Sequence, residues 1–374
     1  MMNNMIFNNN SNSLIQRQQN YVLDRKLVTF HSEDRDINKW NNSNHFEVHL
    51  PDTLTNIESL RLVQCDLPIN YDVFNTNYQN TKLSLEITTK NPAKTYYDTL
   101  SGGVEFTITI QDGFYSPQEL ANEIQERIND TVTSYIIDAG ISDTYSSMKV
   151  YYDRVGQRYW FGNDEDEFIL LFDKQELYTL SNCEQPNMWE KYVKWGLPSY
   201  LGFNREEYSA ISSSTNIKFN YLGVSGTWLT PASGSLPVYY VTAPLTPFIL
   251  GERIIYMEVD KYNSYDELVP FSEATNNMYN NDYNGKKNSA FAKIPVQNVP
   301  LGELVDSRNG FLQNISYYNP PIEKISRLEF KFRYHDGRLV EFGNNPFSFT
   351  IEFNQLRNEI GKSYNVRVPT IFGL

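Results

Sequence analysis

Near its C-terminal end the chain alternates for so long that little choice of structure remains. Leu328, Phe330, Phe332 and Tyr334 are interleaved with Glu329, Lys331 and Arg333. The turn signal Asp336-Gly337 follows, and Phe347, Phe349, Ile351 and Phe353 then resume the spacing. Successive side chains of a strand point to opposite faces, so a period of two predicts a pair of strands with one apolar face. The same pattern recurs upstream in segments 26–30, 45–50 (Phe46, Val48, Leu50), 57–65, 82–89 and 104–110. Segments 149–152 and 158–161 flank a turn at 153–156 and predict a hairpin, while 167–172 and 253–259 read as further strands. Tyr, Phe and Trp make up 14% of the chain, and such residues suit pleated, half-buried surfaces.

One helix stands out. Ser116 is placed to cap it, Pro117 suits its first position, and Glu119 completes a capping box. Leu120, Ile124 and Ile128 recur every four residues, which predicts an amphipathic helix over about 116–129 laid on a sheet. Segment 195–203 mixes apolar residues with Gly and Pro and reads as a packed loop. No internal repeat emerges, which argues against solenoids and propellers. Irregularly spaced strands, one helix and long connections predict a mainly β chain, a jelly-roll-like β-sandwich with long loop insertions. Residues 1–20 are rich in Asn, Gln and Ser and are expected to form an extended or disordered arm that orders against a partner. Residues 21–374 are expected to form a single domain with insertions at about 209–247, rich in Ser, Gly, Thr and Pro, and about 264–287, rich in Asn.

The chemistry of catalysis is thin. A hydrolase triad needs a histidine, and none of His31, His45, His49 and His335 sits in a recognised catalytic signature. His45 and His49 have a metal-binding spacing for a helix, but on a strand residues four apart are separated by roughly 13 Å. Asn163-Asp164-Glu165-Asp166-Glu167 lacks the spacing of a calcium loop and reads as a solvated turn. Ser101-Gly102-Gly103 lacks the lysine of a phosphate-cradling loop. Cys65 and Cys183 lie far apart and read as thiols of a reducing compartment. The expectation is a non-enzyme with no catalytic, cofactor-binding or metal-binding residues.

Charge and hydropathy narrow the class further. Lys and Arg number 32 against 45 Asp and Glu, a formal charge of −13, and a surface of that sign repels phosphate backbones. Direct contact with nucleic acid is not expected. No apolar run approaches the roughly 20 residues of a membrane span, and the N-terminal segment has no apolar stretch of signal-peptide type. Synthesis in the cytosol follows as the expectation. Tyr239, Tyr240, Tyr279 and Tyr283 fall in segments read as loops and are candidate anchors for protein contacts.

The order of these segments resembles the jelly-roll minor capsid and penton-like virion proteins of large nucleocytoplasmic DNA viruses. Asp34-Arg35-Asp36 with Trp40, Phe46-Glu47-Val48, segment 57–62 and Leu67-Pro68 are similar to the opening of such proteins. The Asp112-Gly113 turn with its helix, Leu201-Gly202-Phe203, segment 290–295, and a closing passage through Ile325, Leu328-Glu329-Phe330, Asp336-Gly337 and Phe349-Thr350-Ile351 extend the likeness from Leu27 to Phe353. The resemblance implies a structural component of an icosahedral shell, located in the virion and made in the host cytoplasm. Its implied partners are the major capsid protein and other minor capsid proteins, and self-association is a further expectation for such a chain. A receptor- or carbohydrate-binding β-sandwich on the particle surface is the alternative.

Overall fold

A computed structural model describes residues 22–68, 72–174, 178, 189, 194–219, 226–231, 236–269, 287–296, 305–306, 315–343 and 345–357. The expected arm at 1–20, Tyr279 and Tyr283, and residues 270–286 of the second expected insertion lie outside the described residues.

The strands in chain order are β1 (Val22–His31), β2 (His45–Leu67), β3 (Lys82–Thr88), β4 (Val104–Thr109), β5 (Met148–Asp153), β6 (Arg158–Asn163), β7 (Glu167–Leu171) and β8 (Glu207–Ser209). There follow β9 (Ile211–Ser213), β10 (Ile217–Lys218), β11 (Thr227–Leu229), β12 (Val238–Thr242), β13 (Ile254–Val259), β14 (Tyr265–Leu268), β15 (Lys287–Ala290) and β16 (Ala292–Pro295). The last three are β17 (Val305–Asp306), β18 (Ile315–Arg333) and β19 (Ser348–Arg357). The described chain is mainly β, and its strands pair antiparallel, as the alternation predicts.

Buried apolar side chains gather in two large cores and a small third cluster of Trp228, Leu229 and Val238. The first is built from residues between Val73 and Ile249. It is shared by two four-stranded sheets, β4-β3-β7-β8 and β5-β6-β12-β9, which supply Leu83, Leu85, Phe106 and Leu170 from one side and Val150, Tyr159, Phe161 and Val241 from the other. The second core is built from both ends of the described chain on the sheet β1-β19-β2-β18-β13-β16, with β17 beside β2. Phe330 lies at its centre, with ring centroids 5.0 Å from Phe30, 4.8 Å from Phe349 and 5.6 Å from Phe46. Burying each such ring contributes about 1.5–3 kcal/mol, and edge-to-face pairs add about 0.5–1.5 kcal/mol.

The strands around 328–334 and 347–353 form with the expected apolar face, but not as neighbours. β2 lies between them, paired with β18 through Phe46↔Phe330 and with β19 through Cys65↔Phe349. Period two fixes which face is apolar and is silent about which strand lies alongside. Segments 45–50 and 57–65 also prove to be one strand, because the register against β18 jumps between His49↔Arg327 and Leu54↔Ile325. Pro51, which has no N–H to donate, sits in that irregularity.

The helix spans Pro117–Asp138, longer than the expected 116–129. Its capping box forms as predicted: the Glu119 N–H donates to the Ser116 hydroxyl (3.3 Å), and the Ser116 N–H donates to Glu119 Oε2 (2.9 Å). The apolar series continues past Ile128 to Val132 and Ile136, all buried. A second row at the same spacing explains the extra length. Gln125 accepts from the Val150 N–H (3.0 Å), Asn129 both accepts from and donates to the Met148 backbone (3.2 and 3.0 Å), and Thr133 accepts from the Tyr145 N–H (2.9 Å). These side chains satisfy the bare edge of β5, which has no strand on that side among the described residues.

Segment 195–203 packs as expected, with Trp195, Leu197, Tyr200, Leu201 and Phe203 buried in the first core around one helical turn, Leu197–Tyr200. Within the span 209–247, by contrast, the structure places β12 in the interior of a sheet between β6 and β9.

Candidate interaction surface

The histidines are dispersed. His31 ends β1 and is exposed. His45 Nε2 lies 2.7 Å from Glu329 Oε1, His49 Nε2 lies 3.2 Å from Glu47 Oε1, and His335 Nδ1 lies 3.0 Å from Glu267 Oε2. These last three thus meet different carboxylates, and His45 and His49 lie on β2, as the alternation predicts. Among the described residues no group of three His, Cys, Asp or Glu side chains is placed to hold a metal. Cys65 is buried, and burial with the nearby Asp66 charge raises its thiol far above the ordinary range. A groove of about 250 Å³ between residues 41–44 and 341–343 is lined mostly by polar groups, unlike the apolar pockets that small ligands favour.

The opening motif of the resemblance is a loop clamp. Arg35 donates to the carbonyls of Ser32, Trp40 (3.1 Å) and Asn41 (3.4 Å), Asp34 accepts from the His31 N–H (2.8 Å), and Asp36 accepts from the Asn38 N–H (3.0 Å). The motif therefore holds the β1–β2 connection in shape.

The acidic run 163–167 is the expected solvated turn only in part: Asp164, Glu165 and Glu167 stay partly exposed. Asn163 and Asp166 are wholly buried. The Asn163 carboxamide oxygen accepts from the N–H groups of Glu165 (3.1 Å) and Asp166 (2.8 Å), while its NH₂ donates to the Tyr145 hydroxyl (2.7 Å). Four acidic side chains in five positions suggest water, but the turn joins β6 of one sheet to β7 of the other, and Thr89 and Tyr145 from other segments meet Asp166 there.

Among the described residues two arginines are buried. Arg338 pairs with Asp336 (2.7 Å) and Glu252 (3.3 Å) and lies over the rings of Tyr78 (4.8 Å) and Tyr334 (5.6 Å). Arg338, Glu252, Tyr78 and Tyr334 line a small cavity between the two cores together with Tyr200 of the first core. Burial alone would lower the guanidinium's pKa; Tyr200, Asp336 and Glu252 outweigh it and hold the group charged. Arg333 is gripped by Glu258 and Glu267 beneath the Tyr256 ring.

The tyrosine anchors divide. Tyr239 and Tyr240 lie in β12 and not in a loop, and Tyr239 is buried in the first core. Val238-Tyr239-Tyr240-Val241 carries the β-branched and aromatic signature of a strand, which the surrounding Ser, Gly and Pro conceal. Tyr240 is half-buried on the opposite face, its ring 6.0 Å from that of Trp160 and within 13° of parallel. This face bears Tyr151, Trp160 and Tyr240, is packed against Trp228 and Leu229, and ends at the 60% exposed Ile211 paired with Tyr240. The second core offers a different surface: β1 is the outermost strand of its sheet and pairs only with β19 among the described residues.

The described residues thus define a mainly β protein with two packed cores and no helix long and apolar enough to cross a membrane. No family model matches the sequence. No curated protein matches it either. Among solved structures the chain is similar to the mavirus penton protein, at 8% identity and a TM-score of 0.41, with 90% of this chain and 100% of the other covered. It is also similar to a chain in the cryo-EM structure of the Sputnik virophage, at 10% identity and a TM-score of 0.40, with 89% and 98% covered.

Proposed function

We propose that the chain is a structural component of a virus particle, a minor capsid protein that binds the major capsid protein and other minor capsid proteins to stabilise an icosahedral shell. The observation that carries this reading is the open edge of β1. Its ten residues present an unpaired strand edge among the described residues, and such an edge is a template for an extended segment of another chain. Asp24, Arg25 and Lys26 on that strand restrain indiscriminate pairing. The residues of the sequence resemblance support the same role, because they form framework: the Arg35 clamp, β2, the capped helix, the packed Leu201–Phe203 passage, β18 and β19. In this reading the protein acts by contact and not by catalysis, resides in the virion, is made in the host cytoplasm and meets no nucleic acid directly.

The test is mass spectrometry of purified, protease-treated particles. A reproducible ratio of this chain to the major capsid protein supports the role, and its absence overturns it. Deleting residues 1–19 should leave the fold intact and weaken incorporation. The aromatic face around Trp160 and Tyr240 favours a second reading, glycan binding at the particle surface. Array binding by the isolated protein that is lost in Trp160→Ala would support that reading.

A further inference from the structure

The corner that joins the two sheets of the first core contains a carboxyl group with no cation of its own. Asp166 is wholly buried at the turn between β6 and β7. The hydroxyl of Thr89, which follows β3, donates to Oδ1, and the Tyr145 phenol is the other polar side chain that meets the carboxyl, so hydroxyls and no cation face it. Charged and titratable groups from several segments surround it. Lys94 acts on this charge from a distance, but its Nζ is held by Glu165 Oε2 at 2.7 Å. Lys90 is held by Glu167 at 3.0 Å. From the loop after the helix, the Tyr145 phenol approaches the carboxyl, and Asp143 accepts from the Thr95 hydroxyl. Tyr96 packs edge-on against Tyr145 at 5.8 Å, and Tyr239 of β12 faces the same charge. Glu165, next in the chain, repels a second negative charge.

We propose that Asp166 is a proton-operated latch: its neutral form closes the corner between the two sheets, and loss of the proton loosens that corner. A carboxylate taken from water without a cation or a full set of donors is costly, so the buried group favours its neutral form. Burial accordingly raises the carboxyl above its ordinary range, against the pull of the Thr89 and Tyr145 hydroxyls. The folded chain then holds a proton that the unfolded chain has released, over a window that opens near the usual aspartate value of about 4 and extends upward. Stability falls as pH rises through that window, by at most about tenfold in the folding equilibrium per pH unit for one proton.

The test compares urea unfolding of the full chain and of Asp166→Asn, which keeps the shape and the acceptor for Thr89, from about pH 4 to 8. The wild type should lose stability relative to the variant as pH rises, by up to about tenfold per unit. A gap that stays constant, or that moves in favour of the wild type, overturns the latch. Hydrogen exchange supplies the local reading at the Thr89 N–H, which donates to the Leu100 carbonyl at 3.2 Å. Its protection should fall with pH before that of the helix in the wild type only, and a uniform loss overturns the proposal. Should the variant fail to fold, infrared spectra of the wild type with labelled aspartate decide. A protonated carboxyl band that persists above about pH 5 supports the latch, and its absence refutes it.

Discussion

Replacing Arg338 by Ala should weaken the joint between the two cores more than a surface charge would. The guanidinium is 2% exposed, pairs with Asp336 and Glu252, and shares a small cavity with Tyr78 and Tyr334 on one side and Tyr200 on the other. Removing one partner of a buried ion pair costs about 3–5 kcal/mol, because the remaining charge stays out of water. Both carboxylates keep some support here. Asp336 still accepts from the residue-338 N–H (3.1 Å), and Glu252 still meets Lys194. The lower end, about 3 kcal/mol or a little over a hundredfold in the unfolding equilibrium, is therefore expected. Urea unfolding followed by tryptophan fluorescence and by far-ultraviolet circular dichroism is the assay. Because Arg338 lies between the cores, the two transitions should coincide in the wild type and separate in Arg338→Ala. Arg338→Met combined with Asp336→Asn and Glu252→Gln should recover most of the loss, since it removes the orphaned charges and fills the space. A loss under about 1 kcal/mol, the range of exposed pairs, would refute the reasoning.

Ser116→Ala should cost about 1 kcal/mol by removing the acceptor for the Glu119 N–H, and Ser116→Asp should largely restore it; thermal unfolding measures both. Glu352 gives a prediction of opposite pH sign to that of Asp166. Burial would raise this carboxyl, but Asn354, Arg61 and Arg25 together hold it below its ordinary range. Its stabilisation is present above the unfolded value of about 4.3 and is lost as pH falls through the lower folded value. Glu352→Gln should thus be less stable than the wild type at neutral pH, with the gap closing in acid; a gap independent of pH would contradict the assignment.

What could be read from the sequence was local. The helix start was legible because Ser116, Pro117 and Glu119 encode a cap among near neighbours. Its end was not, because Asn129 and Thr133 resemble helix breakers until the open edge of β5 appears beside them. The apolar faces of the strands around 328–334 and 347–353 were plain from their spacing, whereas the insertion of β2 between them depends on residues far upstream. Tyr239 was misplaced because loop-like composition surrounded a five-residue strand. Asp166 was taken for a solvated acid because its cover, Thr89 and Tyr145, comes from other segments. In each case the missed information is tertiary: a short run states its own preference, and its neighbours decide whether that preference meets water or protein.

The pairing of β1 with β19 has a consequence for how the protein is made. The ladder from Val22↔Arg357 to His31↔Ser348 joins residues more than 300 positions apart. At about 5–20 residues per second, a ribosome would release β1 roughly 15–60 s before its partner exists. The first core, drawn from Val73 to Ile249, has all its strands well before then. During that interval the apolar faces of β1 and β2 lack β19, so the nascent chain is open to pairing with a neighbouring polysome product. Slow synthesis of the last hundred residues should therefore favour aggregates over folded protein, and binding of a holdase to the growing chain should reverse that balance.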